Sequence, residues 1–169
     1  MTIFIFEAIG TMFLAYGVNA TQYLNPTSKM VPNPYWTFFV SCFLYLGIAA
    51  AAPFTGGHVN PAVTIGVTSS GLCEGRKVLT YIFSQLCGAF IGVFVCTSLI
   101  VVVFTFFNHS AQVYEVEPSI RDIILDGVGE AFGTFIFVFG IIYTCKKNYM
   151  KGEYFKYFFI VLMLLLGRT

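Results

Sequence analysis

Gly56-Gly57-His58-Val59-Asn60-Pro61-Ala62-Val63-Thr64 interrupts two long apolar runs with a polar dip led by glycine. Backbone that is neither helix nor closed barrel is tolerated at bilayer depth only where protein buries it or where it lines a water-filled cavity. A loop of this kind, opening a short helix, therefore points to an aqueous path or a substrate site, provided the chain lies in a membrane.

Composition says that it does. Hydrophobic residues fill 57% of the 169 positions and charged residues only 10%, with a mean hydropathy of +0.81. Soluble domains carry about 25% charged residues. The 20 Phe and 10 Tyr suit a lipid-facing exterior with aromatic belts. A net charge of +1 gives no reason to invoke nucleic acid. Cys42, Cys73, Cys87, Cys96 and Cys145 show no C-x-x-C spacing, so they read as buried, inert thiols rather than metal ligands. Thr2-Ile3-Phe4-Ile5-Phe6-Glu7 has no basic segment before it and places an acid in the apolar stretch. It reads as a first membrane helix rather than a cleavable signal.

The expected fold class is an all-α membrane protein. Apolar segments at 2–19, 36–53, 79–107, 122–144 and 155–167 predict about five spans, each near the ~20 residues a bilayer crossing takes. Residues 54–78 are neither a span nor an ordinary loop. Pro61 suits a first helical position, where its missing N–H would be unpaired anyway, and Asn60 is then the natural N-cap. From Pro61 to about Ser69 the helix would rise roughly 13 Å, about half of a ~30 Å hydrocarbon core. Gly71 ends it, and Glu74-Gly75-Arg76-Lys77 returns the chain to water. The segment reads as a re-entrant half-helix.

Arg76, Lys77, Lys146, Lys147, Lys151 and Lys156 occupy two connections separated by two crossings, hence one side of the membrane. By the positive-inside rule that side, and the N-terminus, are cytoplasmic.

An internal repeat organises the spans. Glu7-Ala8-Ile9-Gly10-Thr11-Met12-Phe13-Leu14-Ala15-Tyr16-Gly17 returns as Glu130-Ala131-Phe132-Gly133-Thr134-Phe135-Ile136-Phe137-Val138-Phe139-Gly140, from position 7 to position 130. Phe38-Phe39-Val40 likewise matches Phe158-Phe159-Ile160. Three crossings separate the copies, so the second is inverted, and such repeats place a site near the midplane where half-helices meet. One copy covers 1–107 and the start of the other 122–169, as a single domain. The partner of Gly57–Thr64 would fall beyond Thr169, so the expectation is a domain incomplete at its C-terminus.

These residues resemble the aquaporin, or major intrinsic protein, family. The resemblance rests on Gly57-His58-Val59-Asn60-Pro61-Ala62-Val63-Thr64, the two E-A-x-G-T helices, and the order of span, half-helix and span. It implies an aquaporin-like bundle of six helices and two half-helices, assembled as a homotetramer with a pore in each subunit. It also implies passive passage of water or small uncharged solutes such as glycerol through a lipid bilayer, with no reaction catalysed and no cofactor or metal. One alternative is a short, non-conducting subunit that modulates full-length channels. Another is a different inverted-repeat transporter for an ion, against which the scarcity of charges in the spans weighs.

The residue types fit such a pore. The Asn60 amide, at a helix end carrying about half a positive charge, can donate to a passing oxygen and repel cations. Pro61 starts the helix and Ala62 permits close packing of a facing half-helix. Unpaired carbonyls of Gly57, His58 and Val59 would form an acceptor ladder. The His58 ring is either a pore contact or a structural anchor. Glu7 and Glu130, acids inside spans, are functional candidates by default. Either could relay protons, but their equivalence in the repeat favours anchors for the half-helix loops. Gly10, Gly88, Gly92 and Gly133 offer close helix packing. By ungapped alignment the resemblance puts a selectivity position at Val40, where valine leaves a wider channel than an aromatic would. A one-residue shift would put Phe39 there and reverse the inference.

Overall fold

The computed structural model describes residues 1–24, 34–107 and 119–147. Every regular element among them is helical: α1 (Thr2–Leu24), α2 (Pro34–Thr55), α3 (Pro61–Ser69), a 3₁₀ turn at Gly75–Lys77, α4 (Val78–Phe106) and α5 (Ile120–Lys147). Four stretches are long and apolar enough to cross a membrane: Thr2–Tyr23, Thr37–Thr55, Gly75–Phe106 and Ile123–Cys145. They coincide with the first four predicted spans. The fifth, at 155–167, lies outside the described residues. The 29 residues of α4 extend about 43 Å, so this helix outruns a ~30 Å core.

Helix α1 sits between α2 and α4, and glycines set both approaches. A Cβ built at Gly47 would overlap the Gly10 carbonyl oxygen, and one at Gly88 or Gly92 would overlap the carbonyl oxygens of Ala8 or Met12. Apolar side chains gain little by leaving lipid for each other, so close backbone approach and interhelical hydrogen bonds hold such helices. Asn19 supplies one of these bonds, donating from Nδ2 to Thr97 Oγ1 at 3.0 Å.

Helix α4 is polar toward the protein and apolar outward. Its buried face holds Tyr81, Ser84, Gln85, Gly88, Gly92 and Cys96, while Leu79, Phe83, Phe90 and Phe94 are exposed. This reverses a soluble protein's pattern, as a hydrocarbon surround requires. Hydroxyls inside the helices bond back to the carbonyl four residues earlier, as Thr11 does to Glu7, Ser41 to Thr37 and Thr144 to Gly140. No water is needed to satisfy them.

The short α3 packs against α4 and α5, where Gly66 lets Val138 approach so closely that a Cβ would overlap it. The buried core joins Leu44, Ile48 and Ala51 of α2 to Val59, Val63, Val67, Phe137 and Ile141. The cysteines depart from expectation. None forms a disulfide, but only Cys96 is buried, while Cys42 and Cys145 are exposed. The outward helix faces are apolar in a membrane protein, so an apolar context did not imply burial.

Candidate functional site

The half-helix begins as its local chemistry dictates. Asn60 is extended (φ −155°, ψ 130°) and its Oδ1 accepts from the Ala62 N–H at 2.8 Å, with Pro61 as the first helical residue. The Asn60 carbonyl accepts from the Thr64 N–H at 3.0 Å. The Asn60 side-chain NH₂ makes no hydrogen bond among the described residues.

Between α2 and this cap the backbone takes a left-handed course, with φ of 89° at Gly56, 64° at Gly57 and 43° at Val59. Glycine adopts such angles freely. A β-branched residue does not, and Val59 stores about 1–3 kcal/mol of strain. What holds it is visible. The valine is 1% exposed, its side chain lies against Gly10, and its N–H donates to Glu7 Oε2 at 2.8 Å.

Glu7 is the hub of the loop. Its Oε1 accepts from the His58 N–H at 3.1 Å and from the Thr55 hydroxyl at 2.6 Å. Its Oε2 accepts from Val59 and from Gln85 Nε2, the latter also at 2.8 Å. Gln85 reaches Thr64 Oγ1 at 3.0 Å, and Thr64 Oγ1 lies 3.3 Å from His58 Nδ1. The His58 ring stacks on Tyr81 with centroids 4.5 Å apart, and the Tyr81 hydroxyl donates to the Thr55 carbonyl at 2.6 Å. An acid on α1 thus ties the loop to α4 with both oxygens doubly bonded, which satisfies a polar group that would be costly in lipid.

Two cavities flank Asn60. One, of about 290 Å³, runs along α3 past Val63 and Val67 to Leu72. Its polar edge is Gly56, Gly57, His58, Val59 and Asn60, and its apolar wall includes Leu44, Ile48, Val63, Phe137 and Ile141. The carbonyls of Gly56, Gly57, His58 and Val59 accept no hydrogen bond among the described residues. The other cavity, of about 330 Å³, is lined by Thr11, Asn19, Gln22, Pro61, Ala89 and Val93 among others. Leu14, Val59 and Asn60 line both. The cavities therefore lie to either side of these three residues, at the N-terminus of α3.

Asn60, Pro61, Gly57 and His58 are thus brought to one place, with Ala62 half-buried just behind the cap. His58 combines both readings left open by the sequence, since its residue lines the cavity while its ring is tied to Thr64 and Tyr81. Val40 is 2% exposed and lines neither cavity. Glu130 is exposed and makes no hydrogen bond among the described residues. Sequence reasoning missed Gln85, Thr55, Thr64 and Tyr81. Gln85 alone left a signal, as a lone amide inside an apolar span.

Known proteins resemble this chain in sequence and in fold. The family model described as "Major intrinsic protein" matches residues 1–167. The chain is 30% identical over 159 residues to the "Probable glycerol uptake facilitator protein" of Thermotoga maritima, covering 84% of the chain and 64% of that relative. It is 26% identical over 155 residues to "Glycerol uptake facilitator protein 2" of Lactiplantibacillus plantarum, covering 82% and 63%. The chain thus spans just under two thirds of the length of these relatives. Among solved structures it resembles the aquaglyceroporin from Plasmodium falciparum, with a TM-score of 0.74 and 26% identity, over 99% of this chain and 72% of that one.

Proposed function

Because the chain belongs to the major intrinsic protein family, we propose that it forms a passive path for water and small uncharged polyols across a membrane. One observation carries the reading. Two cavities flank Asn60, whose NH₂ donor is unpaired among the described residues, beside a run of loop carbonyls unpaired among them. A solute with both donors and acceptors, and no charge, can exchange its water partners for these. A cation would face the positive end of α3. The names of the glycerol facilitators and of the aquaglyceroporin support a polyol as well as water.

Further roles follow from the same reading. Arg76 and Lys77, which follow the half-helix in the chain, support a cytoplasmic placement of that end and of the N-terminus. Glu130 would anchor a second loop as Glu7 anchors the first, and Ala62 would face the second half-helix. Val40 would act above the second cavity, and the working unit would be a homotetramer.

The test is osmotic shrinkage of proteoliposomes. The unmodified chain is expected to shrink vesicles faster than lipid alone. Asn60→Leu, which removes the donor and places an apolar group between the cavities, is expected to lower water permeability on the order of tenfold, a lost hydrogen bond's ~1.4 kcal/mol. Parent vesicles no faster than empty ones would overturn the channel, and a fully permeable N60L would overturn the role of Asn60.

A further inference from the structure

We infer that the far end of α4, from Leu99 to Phe107, is a lipid-binding collar that fits this chain to a bilayer thicker than the usual ~30 Å of hydrocarbon. The inference does not rest on the channel reading. The four membrane-crossing stretches cover 22, 19, 32 and 23 residues in chain order, and α4 supplies the long one. At its first end stand the exposed ion pairs of Arg76 and Lys77 with Glu74, which belong in water. From Lys77 to Leu99 the helix rises about 33 Å, and a tilt near the ~20° average shortens that to about 31 Å. The residues from Leu99 onward therefore lie beyond an ordinary hydrocarbon core.

That far end is apolar all round. Val101, Val102 and Val103 are each at least half exposed, and successive residues point about 100° apart, so little of the circumference is covered. Leu99, Phe106 and Phe107 are exposed as well. Helix α1 changes character at the same height. Its Ala8, Met12 and Asn19 meet Gly88, Gly92 and Thr97 of α4 in that order, so the two helices run parallel. On that register the polar Thr21 and Gln22 stand level with Leu99 to Val102. Neither bars immersion in lipid, since Thr21 bonds the Val18 carbonyl and Gln22 lines a cavity.

Acyl chains are the occupant this surface fits. It continues the outward face of α4 that carries Phe83, Phe90 and Phe94, and no charged residue interrupts the run from Val78 to Phe107. A second copy would cover one side of such a post, whereas acyl chains can surround it. Because α1 lies along α4 and shares its tilt, α4 cannot lean over alone. A thicker bilayer is then the way to cover its end.

Thermal unfolding in proteoliposomes of dimyristoleoyl, dioleoyl and dierucoyl phosphatidylcholine, in order of rising thickness, tests this by helical circular dichroism. The midpoint is expected to climb through the series and to be highest in the dierucoyl bilayer. Val102→Lys combined with Phe106→Lys puts charge at two bare positions of the collar, and is expected to move the highest midpoint to the dioleoyl bilayer. Val102→Trp in a Trp36→Phe chain leaves one indole, in the collar. Lipid brominated on its acyl chains is expected to quench most of that fluorescence. Equal midpoints in the three bilayers, or a double-lysine variant that keeps the parent's order, would overturn the collar. So would an indole that the brominated lipid leaves bright, with cross-linked pairs of chains then marking a second copy as the occupant.

Discussion

Replacing Glu7 with leucine is expected to abolish the native loop and destabilise the chain by about 2–6 kcal/mol, the cost of two buried N–H groups left without an acceptor. Four donors lose their acceptor at once: the N–H groups of His58 and Val59, the Thr55 hydroxyl and the Gln85 amide. Thr55 retains the Ala51 carbonyl at 3.0 Å as an alternative, and Gln85 retains Thr64. The two loop N–H groups have no second partner among the described residues, and each stranded group costs about 1–3 kcal/mol. The strain at Val59 is then no longer offset, so the loop should relax to a different path.

Glu7→Gln provides the graded case. It keeps one acceptor but turns an NH₂ toward donors, and is expected to lose roughly half as much. Thermal unfolding in detergent measures both variants against the parent. Loss of water flux with an unchanged melting temperature would show that the acid acts in the path rather than through the loop. A Glu7→Leu protein that melts with the parent would refute the anchoring account.

Gly88→Leu is the second large effect, expected to prevent α1 and α4 from docking. Even the first added carbon would overlap the Ala8 carbonyl oxygen, which is backbone and cannot rotate away. Overpacking ordinarily costs about 1–3 kcal/mol where side chains can adjust. Here the helices must separate, breaking the Asn19–Thr97 bond and moving Gln85 off Glu7. The loss should therefore reach at least about 3 kcal/mol, seen as aggregation on gel filtration.

Gly127→Ala is the matched control. Nothing lies within 4 Å of its added carbon, so it should gain up to about 1 kcal/mol from helix propensity alone. Equal behaviour of the two variants would mean that close approach of α1 and α4 does not hold the bundle.

Local chemistry made the half-helix legible before any fold was known. Asn60 caps, Pro61 starts and the chain leaves the helix after Ser69, all within one short stretch. Span ends were less legible. Helix α1 runs on to Leu24, beyond the apolar segment 2–19 and through Thr21 and Gln22. Thr21 bonds to its own helix and Asn19 to α4, so neither had to leave it. Val40 was inferred from alignment alone, and alignment does not say which helix face meets a cavity.

What the sequence determined by itself was everything set by neighbours in the chain or by the solvent. Apolar runs of bilayer length demand spans, and the Gly-Gly-His-Val-Asn-Pro-Ala stretch demands a capped half-helix. The inverted repeat and the family likeness follow from the same residues. Only the tertiary structure decided what Glu7 holds, because His58, Val59 and Gln85 lie 51, 52 and 78 residues away. It also decided that Leu14 and Phe137 line one cavity with the half-helix loop. A hydrogen bond or a cavity wall depends on which helix faces meet, and here glycines on four helices set how those faces meet.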